Sequence, residues 1–188
     1  MLVVRGRLTP EDVLEEIVRE IADMTGNRTL RPQATDMHAL LQDIATLARP
    51  SLPRAMGLTV LDNMPDDLLM LDAGMLQDSL LNLILNAKAA MPDGGRLNIY
   101  SKIVKELVAI GFEDTGHGIP DNLVDNIFEP FVTTREDGTG LGLFISYGVI
   151  ENHSGHIDVK SKLGKGTVMT VLLPRIEEEL EETSEIEE

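Results

Sequence analysis

The chain has no cysteine and no tryptophan, and only four phenylalanines and two tyrosines among 188 residues. Without cysteine, disulfides and thiolate metal sites are excluded. With so few rings, aliphatic side chains must build the core. No apolar run approaches the ~18 residues that span a bilayer, and no secretory leader pattern is visible. These features fit a cytoplasmic location, with any membrane anchor outside this sequence. Basic residues are scarce as well: 16 Lys and Arg stand against 32 Asp and Glu, a formal charge of -16. Such a surface repels nucleic-acid phosphates, so nucleic acid is not an expected partner.

What remains is ample for one core. Much of the negative charge is local. Residues 176–188 hold eight Glu and no Lys or Arg, which reads as a solvated, disordered tail or the start of a linker. The other end also separates. Thr9-Pro10-Glu11 is a helix start, with Thr as N-cap and Pro in the first position. Val13, Leu14, Ile17, Val18 and Ile21 then recur at helical spacing, so residues 10–24 are expected to form an amphipathic helix ended by Gly26-Asn27. One such helix cannot bury its apolar stripe by itself. It is expected to dock on the domain or to pair with another chain, possible homodimerisation included. Arg31-Pro32 marks a linker. The expected division is 1–32, N-terminal helix and linker; 33–174, a single domain; and 175–188, acidic tail.

Within the domain, the spacing predicts helices over 35–48, 72–91, near 121–127 and over 142–152. Strands are predicted over 58–62, 97–104, 107–113, 156–161 and 167–173, with turns at Asp93-Gly94-Gly95 and Lys165-Gly166. Helices and strands interleave without a regular βαβ repeat. The expected fold class is α/β, a layered sandwich with a mixed sheet.

Three glycine- and amide-bearing segments carry chemistry. Asn82 and Asn86 stand four apart in the apolar run from Met75 to Met91, so both amides share one helix face. Amide oxygens are hard neutral ligands that suit Mg2+ when phosphates supply the other oxygens; alternatively the two amides cap or bridge nearby backbone. Asp114 ends the apolar run Leu107–Phe112 and begins Asp114-Thr115-Gly116-His117-Gly118. Its carboxylate can accept from an exocyclic amine, which distinguishes adenine from guanine; the bland reading is a strand-ending turn. Gly116 and Gly118 permit close backbone approach to a ligand. Gly138, Gly140 and Gly142 precede the apolar segment 143–150. Backbone N–H groups and the dipole at a helix start favour phosphate, with Thr139 adding a hydroxyl and Arg135 a cation just upstream. A merely flexible loop is the alternative there. No P-loop is present.

In this order the segments resemble those of bacterial sensor histidine kinase catalytic and ATP-binding domains, within the superfamily that includes gyrase, mismatch-repair and heat-shock chaperone ATPases. Residues 81–91 resemble the family's N box, 114–120 its first glycine box, 127–135 its phenylalanine box and 138–143 its second glycine box. Residues 164–168, running into 172–174, resemble the closing strand pair. The likeness covers about residues 33 to 174. It implies a two-layer α/β sandwich of the Bergerat type and the cofactors ATP and Mg2+. It implies that Asn86 ligands the metal with Asn82 nearby, and that Asp114 holds the adenine amine with Gly116 and Gly118 shaping that wall. Phe128 and Phe131 would anchor a mobile lid over 128–141. Arg135, Thr139, Gly140, Leu141 and Gly142 would lie near the phosphates, and Thr167 on the adenine side.

Two departures matter. Where many members carry a charged residue three positions after the second N-box Asn, this chain has Ala89, with Lys88 one place earlier. Lys88 is the remaining candidate for a phosphate contact from this helix. None of the four histidines, His38, His117, His153 and His156, has the helical-hairpin context of a phosphoacceptor. The implied function is therefore a Mg-ATP-binding kinase module that presents the γ-phosphate to a histidine outside this chain. That histidine would belong to a dimerisation domain in cis or in trans, with a response regulator downstream. The alternative is a non-catalytic ATP-sensing or docking adaptor of the same fold.

Overall fold

The computed structural model describes residues 30–64, 68–135 and 138–175. The predicted helix 10–24 and the acidic tail lie outside the described residues. The elements run β1 (Gln33–Asp36), α1 (Met37–Ala48), β2 (Met56–Asp62), β3 (Leu68–Leu71), α2 (Ala73–Ala89), β4 (Gly95–Val104), β5 (Leu107–Asp114), α3 (Asp121–Val124), α4 (Gly142–Asn152), β6 (His156–Lys162) and β7 (Gly166–Pro174). A single 3-10 turn, Arg49–Ser51, follows α1.

Five strands form one sheet in the order β2-β4-β5-β7-β6. β2 runs parallel to β4, and the other neighbours are antiparallel. The mixed α/β sandwich expected from the sequence is what the chain forms. Inward residues of four strands are buried: Leu97 and Ile99, Val108, Ile110 and Phe112, Ile157, and Val171 and Leu173. They share one apolar core with Leu40, Leu41 and Ile44 of α1, Leu76, Leu80, Leu83 and Ile84 of α2, and Ile150 of α4. Each such side chain fully withdrawn from water is worth roughly 1.5–3 kcal/mol. The core thus fixes the sheet and the three long helices as one unit.

β5 is buried along both faces from Val108 to Phe112. The outer face at Gly111 is covered by the Tyr100 ring, which would lie 2.1 Å from any Cβ placed there. A glycine lets an aromatic from the adjacent strand lie flat on the sheet.

Two strands were not foreseen. β1 and β3 form a separate antiparallel pair, with Gln33 opposite Leu71 and Asp36 opposite Leu68. The short helix is also briefer than expected, Asp121–Val124 rather than 121–127. Asp36 caps α1 by accepting from the Ala39 N–H at 3.0 Å. His38 is exposed and its Nδ1 lies 2.6 Å from Asp62 of β2. Burial raises the Asp62 carboxyl, but hydrogen bonds from Ser101, the Met64 N–H and His38 outweigh it and hold the group below its ordinary value.

Candidate functional site

The site is built where α2 passes the ends of β5 and β7. Asp72 caps α2 by accepting from the Met75 N–H at 3.1 Å. One face of α2 buries Leu76, Leu80, Leu83 and Ile84 against the sheet. Asn82 and Asn86 lie beside that face and both line a cavity of about 300 Å³.

Asp114 is the last residue of β5 and sits opposite Thr167 near the start of β7. Its Oδ1 accepts from Gly116 N–H at 2.8 Å and from Thr167 N–H at 3.3 Å. Both bonds take the same oxygen, which leaves Oδ2 outside them. Burial pushes the Asp114 carboxyl up, while those two N–H groups and the charge of His117 work against the rise. The result is a carboxylate that is oriented, largely desolvated and part of the cavity wall.

The first glycine turn is pinned on several sides. His117 N–H donates to Ala90 O at 3.0 Å, and Gly164 N–H donates to His117 O at 2.7 Å. Ile119 N–H donates to Ser161 Oγ at 2.8 Å. Gly118 has φ +71, and a Cβ there would lie 2.2 Å from Lys162 O; a Cβ on Gly116 would lie 2.6 Å from Ala90 O. Neither position admits a side chain without moving backbone. This end of the cavity is therefore rigid.

At the opposite end, the hydrogen bonds between described residues are mostly local. Arg135 N–H reaches Thr133 Oγ1 at 3.1 Å, and Gly138 N–H reaches Arg135 O at 3.3 Å. The two limbs of the segment meet where Phe131 N–H donates to Gly140 O at 3.0 Å. Phe128 packs on Tyr147 of α4, ring centroids 5.0 Å apart. Phe131 has φ +67 and is 59% exposed, so its backbone rather than its ring ties the segment down.

α4 begins without a side-chain cap. The N–H groups of its first turn have no intrahelical partner, and Gly140, Gly142 and Leu143 bring that turn to the cavity wall. This is the geometry that accepts phosphate.

Of the residues singled out from the sequence, Asn82, Asn86, Asp114, Gly118, Arg135, Thr139, Gly140, Gly142 and Thr167 line one cavity. Gly116 is not among the lining residues; its N–H donates to Asp114 Oδ1. Leu141 is buried beneath the start of α4. Lys88 is not among the lining residues; Ala89 and Ala90 occupy that stretch. The sequence reading missed the apolar lining, Phe112, Ile119, Leu123, Ile127, Val132 and Met169, and the polar pair Thr133 and Thr134. His117 also lines the cavity. His153 does not: it is buried at the end of α4, with Nε2 accepting from Asp72 N–H at 3.0 Å and Nδ1 placed 2.7 Å from Val149 O.

An apolar-lined cavity with one oriented carboxylate thus meets an uncapped helix start on a mixed α/β sandwich. Comparison with known proteins gives the family. The profile described as "Histidine kinase-, DNA gyrase B-, and HSP90-like ATPase" matches residues 71–177, and the chain belongs to that family. It is 33% identical over 180 residues to the sensor kinase CckA of Brucella abortus (strain 2308), covering 87% of this chain and 19% of that protein. It is 42% identical over 104 residues to sporulation kinase A of Bacillus subtilis (strain 168), covering 55% of this chain and 17% of that protein. The chain thus spans about a fifth of these relatives' length.

Among solved structures, it is similar to full-length ShkA in complex with AMPPNP, with TM-score 0.74 and 26% identity over 90% of this chain and 40% of that one. It is equally similar to histidine kinase ThkA in complex with the response regulator protein TrrA, with TM-score 0.74 and 26% identity over 88% of this chain and 48% of that one. The chain is homologous to the ATP-binding catalytic domains of sensor histidine kinases.

The residues present also fit a nucleotide-borne metal. Asn86 Nδ2 is buried with no hydrogen-bond partner among the described residues. An unmet buried amide costs about 1–3 kcal/mol, a cost that a ligand in the cavity would remove. Rotating that amide exchanges its donor for its oxygen, so it suits either a phosphate or a metal. Among the described residues no group of three or more His, Cys, Asp or Glu is placed to hold a metal. A metal here would arrive with the phosphates that supply most of its ligands.

Proposed function

We propose that this chain is the Mg-ATP-binding catalytic module of a two-component histidine kinase, presenting the γ-phosphate to a histidine outside the chain. The observation that carries the reading is the joining of Asp114, the Asn82–Asn86 face and the uncapped start of α4 around one cavity. Asp114 would accept from the adenine amine through Oδ2. Phe112, Ile119, Ile127 and Met169 would cover the ring's apolar faces, and Thr167 would hold Asp114 in place from the opposite strand. Gly140, Gly142 and Thr139 would receive the phosphates, with Arg135 near the γ end. Asn86, with Asn82 beside it, would turn an amide oxygen to Mg2+. Magnesium neutralises phosphate charge when bound. The protein's own contribution is positioning and exclusion of water.

The acceptor histidine is assigned to a dimerisation domain, in cis or in trans, because none of the three histidines outside the cavity wall is placed to attack. His153 is buried and engaged at both ring nitrogens. His38 is held at Asp62, and His156 lies between Glu151 and Asp158. A response regulator is the downstream partner by analogy with the ThkA complex.

The test is a nucleotide titration with Mg2+ and again in EDTA. Asn86→Ala should weaken ATP binding about tenfold with Mg2+ and far less in EDTA, since only the metal-bound form uses that oxygen. Equal loss in both conditions would make Asn86 a structural residue.

The segment from 128 to 141 is expected to behave as a lid. Its described hydrogen bonds are mostly local, and between its two apolar anchors, Phe128 packed on Tyr147 and the buried Leu141, its described residues are exposed or half-buried. Amide hydrogens there should exchange fast without nucleotide and slow down on adding Mg-ATP. Slow exchange in the nucleotide-free protein, unchanged by ATP, would contradict the assignment.

A further inference from the structure

Helices α2 and α4 are joined by a polar relay through two buried serines. Asn82 Nδ2 lies 2.9 Å from Ser146 Oγ. Ser146 Oγ in turn lies 3.3 Å from the backbone oxygen of Ser79. Ser146 is 1% exposed and Ser79 4%. The hydroxyl of Ser79 is committed to its own helix, donating to Met75 O at 2.9 Å.

The direction of the relay follows from its chemistry. A serine hydroxyl has one hydrogen. The Ser79 carbonyl can only accept, so Ser146 donates to it. Ser146 oxygen must then accept from Asn82, and the Asn82 amide must present nitrogen to it. Its oxygen is left for the cavity that Asn82 lines. From the other side the amide abuts Gly142, where a Cβ would lie 2.8 Å from both Nδ2 and Oδ1.

We infer that Ser146 is a positioning residue for Mg-nucleotide binding. By accepting from Asn82 and donating to Ser79, it locks the Asn82 amide with its oxygen toward the metal-bearing phosphates. It also holds the phosphate-binding start of α4 against the helix that carries both asparagines. This inference rests on the Mg-ATP reading. Without Ser146 the amide is free to turn, and an N–H donor facing Mg2+ is repulsive where an oxygen is attractive.

The test uses the chain as it stands, with Ser146→Ala and the hydroxyl-retaining Ser146→Thr. Ser146→Ala should lower ATP affinity about tenfold with Mg2+ and less than about twofold in EDTA, and Ser146→Thr should recover most of the loss. In an Asn82→Ala background, adding Ser146→Ala should change Mg-dependent affinity little, because the relay is already broken. Equal losses with and without Mg2+, or additive losses in the double variant, would overturn the inference and leave Ser146 a packing residue.

A second readout needs no nucleotide and remains if Ser146→Ala folds poorly. In the nucleotide-free protein the Asn82 side-chain amide should give a resolved, slowly exchanging NMR pair, retained in Ser146→Thr. A fast-exchanging Asn82 amide in the unaltered chain would overturn the relay itself. If the relay signal is present but the chain binds no Mg-ATP, the proposed function fails instead.

Discussion

Asp114→Asn is expected to lower ATP affinity roughly 30- to 150-fold, the equivalent of about 2–3 kcal/mol for a lost bond to a charged acceptor. The amide oxygen can still take the N–H groups of Gly116 and Thr167, which now reach Oδ1 at 2.8 and 3.3 Å. The fold at the end of β5 should therefore survive. What changes is the atom facing the base. Where the carboxylate has Oδ2, the variant has an NH2 group, and a donor then meets the adenine amine. Isothermal calorimetry would read the loss. Unchanged ATP affinity would remove Asp114 from the adenine site.

The same carboxyl makes a pH prediction of definite sign. Burial raises it above its ordinary 3.8. In the window between 3.8 and the raised value, the folded state binds a proton that the unfolded state has released. The contribution of Asp114 to stability is thus present at low pH and lost as pH rises through that window. Denaturant midpoints of the unaltered chain and Asp114→Asn, compared from acid to neutral pH, should converge at the acid end. A gap independent of pH would contradict the shift.

The second large effect is an expected absence of reaction. Incubated with γ-labelled ATP, this chain should carry essentially no acid-labile, base-stable phosphate. A separate helical-hairpin fragment bearing a phosphoacceptor histidine should become labelled when added, where its docking surface is compatible. Three histidines of the chain are engaged by other groups away from the cavity. The fourth, His117, has Nδ1 2.7 Å from Gly118 O. Label on the chain by itself would show that one of the four is an acceptor. His38, exposed and on α1, would be the first to replace.

Much of the site was legible because its chemistry is local. The Asn82–Asn86 pair needs only helical spacing, and helix α2 supplies it. The glycines at 116, 118, 140 and 142 announce positions where a Cβ collides with backbone or with the Asn82 amide, and the structure has those close approaches. The five-stranded sheet followed from alternation and turns.

What was not legible is non-local. β1 and β3 are four residues each, and β1 reads Gln-Ala-Thr-Asp with one buried position. Only pairing between Gln33 and Leu71, 38 positions apart, makes them strands. The apolar slot is likewise assembled from β5, α3, the following turn and β7, so no one stretch advertises it. Ser146 looks like any small residue in an apolar helix until α4 is packed on α2. Lys88 shows the converse: the family resemblance marked it as a candidate, but Ala89 and Ala90 take its place at the wall.

The most direct measurement is a calorimetric titration of the unaltered chain with ATP and with GTP, both in Mg2+. An oriented carboxylate accepts from the adenine amine but opposes the guanine carbonyl, so GTP should bind at least about tenfold more weakly than ATP. Equal affinity for the two nucleotides, or no binding of either, would contradict the account.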